Sequence, residues 1–216
     1  MTVILSQQFS LINSWINELR NVEIQHDRMR FRRNMGRIGE IAAFEISKSL
    51  EYEEIEIQTP LDTIKVKEIA VQPVITTILR AGVPLFEGIL NYLDKADCGF
   101  VAAYRKHDAN DYFSIKQDYL TCPNIDGRPL IVADPMLATG ASLIEAIKDL
   151  LTNGTPTQLH IVAAIASRQG VDTIQKAYPD AKIWVGAIDE NLTSKGYITP
   201  GLGDAGDLSY GEKLQR

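Results

Sequence analysis

The chain has 216 residues, 45% of them hydrophobic and 23% charged, a composition that suits a soluble domain with a sizeable core. Its net charge of −6 argues against nucleic acid as a default partner, because an acidic chain gains little from a phosphate backbone. Cys98 and Cys122 match neither a metal spacing nor a disulfide framework. The first ten residues carry no basic segment followed by a long apolar stretch, and no run reaches the length of a membrane span. A cytoplasmic protein with no membrane partner is expected.

In chain order, Leu11, Ile12, Trp15, Ile16 and Leu19 recur at helical spacing and predict an amphipathic helix. A second helix is predicted over Phe31 to Leu50, with Met35, Ile38, Ala42 and Ile46 near one face. Ile55 to Ile57 and Ile64 to Val66 alternate on either side of Thr59-Pro60-Leu61-Asp62, the pattern of a β-hairpin. Further on, strands are predicted at Val71 to Ile75, Gly99 to Tyr104, Leu130 to Ala133, Leu159 to Ala166 and Lys182 to Ile188. Helices are predicted at Ser142 to Leu151 and Val171 to Ala177. This alternation implies βαβ units and an α/β fold with a parallel sheet, whose ligands sit beyond the carboxyl ends of the strands. From Thr193 to Gly211 the chain carries Gly196, Gly201, Gly203, Gly206 and Gly211, which marks a shaped loop or a flexible tail.

Three segments carry chemistry. In Ile131-Val132-Ala133-Asp134-Pro135-Met136-Leu137-Ala138-Thr139-Gly140-Ala141-Ser142, an apolar strand ends in a carboxylate and a short loop enters a helix. Free N–H groups at a helix start favour a phosphate, and the Thr139 and Ser142 hydroxyls add donors. Asp134 beside them can accept from two vicinal hydroxyls, so a ribose 5-phosphate fits. A plain strand–turn–helix junction capped by Thr139 or Ser142 would use the same residues. This segment is neither a Walker loop, since no Gly-Lys-Ser/Thr follows, nor a Gly-x-Gly-x-x-Gly dinucleotide turn, which narrows the phosphate ligand. The second segment, Ile78-Leu79-Arg80-Ala81-Gly82, places a guanidinium at a small turn, suited to a pyrophosphate. Taken alone it reads better as an arginine capping or solvating a strand end. The third is Gly196-Tyr197-Ile198-Thr199-Pro200-Gly201-Leu202-Gly203-Asp204-Ala205-Gly206-Asp207. Its main-chain groups could complement the acceptor–donor–acceptor edge of uracil.

Together these segments, in this order, resemble the uracil phosphoribosyltransferases, enzymes of the type I phosphoribosyltransferase fold. The resemblance runs from about Phe31 to Gly211 and rests on Asp134-Pro135-Met136-Leu137-Ala138-Thr139-Gly140-x-Ser142 and Pro200-Gly201-Leu202-Gly203-Asp204-Ala205-Gly206-Asp207, with Arg80-Ala81-Gly82 and Tyr104-Arg105 preceding them. It implies transfer of a phosphoribosyl group from phosphoribosyl pyrophosphate to uracil, giving UMP and pyrophosphate. Arg80 and Arg105 would contact the pyrophosphate. Asp134 would hold the ribose hydroxyls, and Pro135, Met136, Leu137, Ala138, Thr139, Gly140, Ala141 and Ser142 would wrap the 5-phosphate. Ile198, Gly203, Asp204 and Ala205 would hold uracil, and Asp204 would also reach the pyrophosphate through Mg2+ or water. No protein metal site is implied, since Mg2+ arrives mainly on phosphoribosyl pyrophosphate. A homodimer or larger homo-oligomer is implied, joined by the hairpin. One domain is expected, with helices over 1–50, the hairpin arm over 51–70, the core over 71–190 and a base-binding loop and tail over 191–216.

The chain departs from the family after Arg105, where Lys106-His107-Asp108-Ala109-Asn110-Asp111-Tyr112-Phe113 replaces the usual acidic stretch. That loop gives weight to a rival reading, a regulator of this fold that binds phosphoribosyl pyrophosphate, UMP or RNA without turnover. His160 reads as a structural strand residue and His107 as a solvated loop residue. Arg28, Arg30, Arg32, Arg33 and Arg37 read as a solvated helix face with ion pairs, an effector or RNA site being the sharper option.

Overall fold

The computed structural model describes residues 1–107 and 113–213, and for residues 103–107 and 113–118 the backbone alone. The elements run β1 (Thr2–Ile4), α1 (Leu11–Arg20), α2 (Arg28–Ser47), β2 (Tyr52–Gln58), β3 (Thr63–Ile69), β4 (Val74–Leu79), α3 (Val83–Tyr92), β5 (Asp97–His107), β6 (Phe113–Thr121) and β7 (Pro129–Ala133). They continue with β8 (Met136–Leu137), α4 (Ala141–Leu150), β9 (Gln158–Ser167), α5 (Arg168–Ala177), β10 (Lys182–Asp189), β11 (Asn191–Leu192), β12 (Ile198–Thr199) and α6 (Ala205–Tyr210).

The main sheet has the order β1-β10-β9-β7-β4-β5-β6, with β8 adding to β9. Every pairing in it is parallel except β5 with β6. The fold is therefore α/β with a mainly parallel sheet, as expected. Both faces are covered, as parallel sheets require. Ile131 and Ala133 join one apolar cluster with α1, α2 and α3, while Leu130 and Val132 join the other with α4 and α5. That split is the two-residue period of a strand buried on both sides.

The predicted helices form at nearly the expected positions. In α1, Ile12, Ile16 and Leu19 are buried, and the Asn13 side chain accepts from the Ser10 N–H at 2.9 Å. Helix α2 starts three residues before Phe31, because the Asp27 carboxylate accepts from the Arg30 N–H at 3.0 Å and caps it. Met35, Ile38, Ala42 and Ile46 are fully buried.

The strand predicted at Val71 to Ile75 is displaced to Val74–Leu79. Val71 is 40% exposed, and the strand continues through Thr76 and Thr77, whose hydroxyls donate to Ile131 O and Ala133 O. Those bonds let two polar residues occupy the sheet centre. The β2–β3 hairpin forms as predicted and, among the described residues, pairs only with itself. His160 is structural, as expected. Its Nδ1 accepts from Trp184 Nε1 at 3.1 Å and its Nε2 lies 3.0 Å from Gln158 Oε1. Burial, helped by the Lys182 charge, pushes its pKa down to about 4.

Strand order also locates the crevice. From β4 the chain crosses to β5 on one side, and from β7 it crosses to β9 on the other. The carboxyl ends of these two neighbours form the topological switch point, where open α/β sheets bind ligands. Arg80 follows β4 and Asp134 follows β7.

Candidate active site

The loop after β7 is held at almost every residue. The Asp134 N–H donates to Val162 O at 3.0 Å, and Pro135 O accepts from Ala164 and Ile165 N–H, both at 3.1 Å. Met136 and Leu137 pair with Ile165 and Ala166, and Ser167 Oγ donates to Ala138 O at 2.5 Å. The chain then turns at Gly140, with φ of 84°, and α4 begins. The left-handed conformation there favours glycine. Met136, Leu137, Ala138, Thr139, Gly140 and Ser142 line a concavity of about 90 Å³ together with Asp134 and Leu143. The first turn of α4 faces this concavity, so the helix start and the carboxylate are adjacent, as a ribose 5-phosphate requires. The Asp134 carboxylate is half-buried, with Oδ1 3.5 Å from the Met136 N.

The turn after β4 lies against the same strand end. A Cβ on Gly82 would stand 2.9 Å from Ala133 O, so Arg80-Ala81-Gly82 runs immediately beside Asp134. Arg80 Nη2 donates to Asp207 Oδ1 at 2.9 Å and to Gly211 O at 2.5 Å. Arg80 Nε is buried without a hydrogen-bond partner among the described residues. The guanidinium thus ties the β4 turn to the C-terminal segment through Nη2.

The glycine-rich segment is ordered and spans the crevice. A Cβ on Gly196 would stand 3.8 Å from Thr139 Cγ2, and one on Gly206 would stand 3.6 Å from Ala81 Cβ. It therefore runs from the phosphate loop to the arginine turn. Ile198, Leu202 and Ala205 anchor it in the cluster under α1, α2 and α3. Its end is not a loop but α6, capped by Asp204, whose Oδ1 accepts from the Asp207 N–H at 3.0 Å. Burial pushes the Asp204 carboxyl up, but the N–H groups of Asp207 and Gly206 and the Lys213 ammonium, 3.0 Å from Oδ2, outweigh it. The net result is a carboxyl held below its ordinary range.

The sheet thus brings Arg80, Asp134, the 135–142 loop, Ile198 and the Gly203–Ala205 turn around one crevice. Arg105 lies in β5, where its backbone pairs with Ile115, but its side chain and residues 108–112 of the divergent loop lie outside the described residues. The arginine cluster of α2 proves only partly a solvated face. Arg30 pairs with Glu18 and Arg33 with Glu40, but Arg32 Nη1 donates to Ser209 O at 2.7 Å. Its guanidinium also lies 5.9 Å from the Tyr210 ring centre, so Arg32 holds α6 in place. Sequence reasoning also passed over Asp189, although a carboxylate ending an apolar strand is the signal that had singled out Asp134. It passed over Arg20 for want of any local signal.

Among the described residues no helix is long and apolar enough to cross a membrane. The model of the family described as uracil phosphoribosyltransferase matches residues 6–211. A uracil phosphoribosyltransferase of Porphyromonas gingivalis is 47% identical over 211 residues, covering 97% of this chain and 98% of that protein. One from Methanococcus vannielii is 38% identical over 203 residues, covering 93% and 86%. The solved structure of the AQ2163 protein from Aquifex aeolicus superimposes with a TM-score of 0.87 at 31% identity, covering all of both chains. The chain belongs to the uracil phosphoribosyltransferase family.

Proposed function

We propose that this chain transfers the phosphoribosyl group of phosphoribosyl pyrophosphate to N1 of uracil, releasing pyrophosphate and forming UMP. The observation that carries the reading is the meeting, at one switch point, of a strand-end carboxylate, a helix-start phosphate loop and the glycine-rich segment. The whole chain is read as one domain, with the β2–β3 arm and the 191–216 segment as its appendages.

In this reading Asp134 accepts from the ribose hydroxyls and the 135–142 loop takes the 5-phosphate. Main-chain groups of Ile198 and the Gly203–Ala205 turn read the base. Bond breaking at C1 leaves positive charge on the ribose and negative charge on the departing pyrophosphate. Arg80 and Arg105 stabilise the latter, and fixed placement of both substrates supplies much of the remaining acceleration. Among the described residues no group of three or more His, Cys, Asp or Glu side chains could hold a metal ion. Single carboxylates at Asp134 and Asp204 fit a Mg2+ that arrives on the substrate, where it would neutralise pyrophosphate charge.

The hairpin supports a homo-oligomer. Tyr52, Ile57, Leu61 and Ile64 on it are exposed, and an isolated two-stranded ribbon is marginal without a packing partner. A cytosolic location suits Cys98 and Cys122, both free. Beyond the divergent stretch after Arg105, nothing favours the regulator reading. The deciding experiment incubates the purified chain with uracil, phosphoribosyl pyrophosphate and Mg2+. UMP and pyrophosphate should appear in equal amounts, and cytosine should be used at least about a hundredfold less well, since two buried groups would go unpaired. Binding of phosphoribosyl pyrophosphate with no UMP formed would favour the regulator.

A further inference from the structure

An ion pair whose carboxylate is buried and whose guanidinium is 22% exposed stands behind the glycine-rich segment, outside every residue assigned above. Arg20 ends α1 and Asp189 ends β10, 169 positions later. The guanidinium and carboxylate meet in a two-pronged contact, 2.8 Å on each side, and Asp189 is only 7% exposed. The pair does more than satisfy itself. Arg20 Nη1 also donates to Gly201 O at 2.9 Å, and Asp189 Oδ2 accepts from the Gly201 N–H at 2.9 Å. Both main-chain groups of one glycine therefore end on one salt bridge. Gln25 Nε2, itself buried, donates to Arg20 O at 3.1 Å and holds the end of α1.

Gly201 lies between Ile198 and Gly203, the two places where the base is read in the function proposed above. It is buried, with φ of 59°. Recognition through main-chain groups works only if the main chain does not move, yet a segment this rich in glycine has the most backbone freedom to lose. A largely buried ion pair contributes little net stability compared with apolar residues of the same size, and in some proteins what such a pair supplies is a single specified geometry. Ile198 and Thr199 also pair with Leu192 and Asn191, and Ile198, Leu202 and Ala205 pack into the apolar cluster, but Arg20 and Asp189 hold both main-chain groups of Gly201, while Arg80 to Asp207 and Arg32 to Ser209 O act further along, at α6.

We propose that Arg20 and Asp189 are positioning residues for base recognition: they clamp Gly201 from behind and so set where the Ile198–Ala205 main chain meets uracil. The proposal rests on the reading of that segment as the base reader. The test uses the full chain and steady-state kinetics with uracil, cytosine and phosphoribosyl pyrophosphate for Asp189→Asn, Arg20→Lys and Gly203→Ala. Gly203 has φ of 94°, and a Cβ there would stand 3.9 Å from Leu208 Cδ1, an ordinary contact, so alanine there perturbs the segment's backbone without a clash. Asp189→Asn should raise the KM for uracil on the order of tenfold and narrow the preference over cytosine. The KM for phosphoribosyl pyrophosphate should stay within about twofold, because the phosphate loop is held by other bonds. Arg20→Lys keeps the charge but loses the fork, should move the same constants in the same direction, and is the variant read where Asp189→Asn does not fold. If Gly203→Ala raises the uracil KM while both clamp variants keep wild-type uracil constants and base ratio, or worsen both substrates equally, the pair is merely structural and the proposal fails. If Gly203→Ala itself leaves uracil use unchanged, the base-reader assignment fails and takes the proposal with it.

Discussion

Replacing Gly170 with alanine drives one methyl group into the back of the phosphate loop. Gly170 is the third residue of α5, and a Cβ there would stand 2.8 Å from Leu137 O and closer still to Ala138 O. Carbon and carbonyl oxygen rarely approach within about 3.3 Å, so the loop or the helix must give way by about half an ångström or more. Neither obstacle is a side chain that can rotate aside. Leu137 is paired in β8, and Ala138 O already accepts from Ser167 Oγ, which in turn accepts from the Gly170 N–H at 2.8 Å. Alanine favours a helix over glycine by about 0.5–1 kcal/mol, but overpacking of this kind costs about 1–3 kcal/mol, so the clash wins. The strained carbonyls belong to the loop that lines the crevice, so any yielding on their side displaces the phosphate site. A misplacement of about 1 Å costs roughly a hundredfold in rate, so kcat/KM for phosphoribosyl pyrophosphate should fall about ten- to a hundredfold. Initial rates with phosphoribosyl pyrophosphate varied at saturating uracil, calorimetric binding and a thermal melt measure each part. Wild-type constants for phosphoribosyl pyrophosphate in the alanine variant would refute the reasoning, whether or not the melt changed.

Arg80→Lys should lower both kcat and affinity for phosphoribosyl pyrophosphate, because an ammonium cannot reproduce the guanidinium fork, whereas stability should change by less than about 1 kcal/mol at a pair this exposed, 39% and 31%. Unchanged steady-state constants would remove Arg80 from the site. Asp134→Asn should weaken calorimetric binding of phosphoribosyl pyrophosphate by roughly ten- to a hundredfold, the loss of a charged acceptor worth about 1.5–3 kcal/mol, and wild-type affinity in the folded variant would sink that role. Light scattering at micromolar concentration should find a dimer or a multiple of it, and Leu61→Asp, at a tip that is 96% exposed, is a probe of whether the arm carries the contact. A monodisperse wild-type monomer would falsify the oligomer. Acid should destabilise the chain through His160. An unfolded histidine takes its proton near 6.5 and the folded one only near 4, so its contribution is complete above 6.5 and is lost as pH falls between those values. The slope is about 1.4 kcal/mol per pH unit, so urea midpoints at pH 7, 5.5 and 4.5 should fall more steeply than in His160→Asn, and parallel curves would contradict the assignment.

The amino-acid sequence by itself determined what depends on neighbours along the chain. Apolar spacing placed α1 and α2, continuous apolar runs placed β7, β9 and β10, and the Asp134–Ser142 stretch announced a strand, a carboxylate and a helix start within a dozen residues. Resemblance added the family and the order of its motifs, not their meeting. Tertiary structure decided what depends on distant partners. Strand β4 runs on through Thr76 and Thr77 because β7 supplies carbonyls for their hydroxyls. Helix α3 went unpredicted after the Gly82 turn, and α6 was hidden in a glycine-rich stretch whose cap at Asp204 is visible only once Asp207 folds back on it. Arg32 and Arg20 look like solvated cations until Ser209 and Gly201 arrive from the other end of the chain. The physical reason is the same in each case: backbone preference and apolar period act over a few residues, whereas a buried polar group is permitted only by a partner that sheet order and helix packing bring to it.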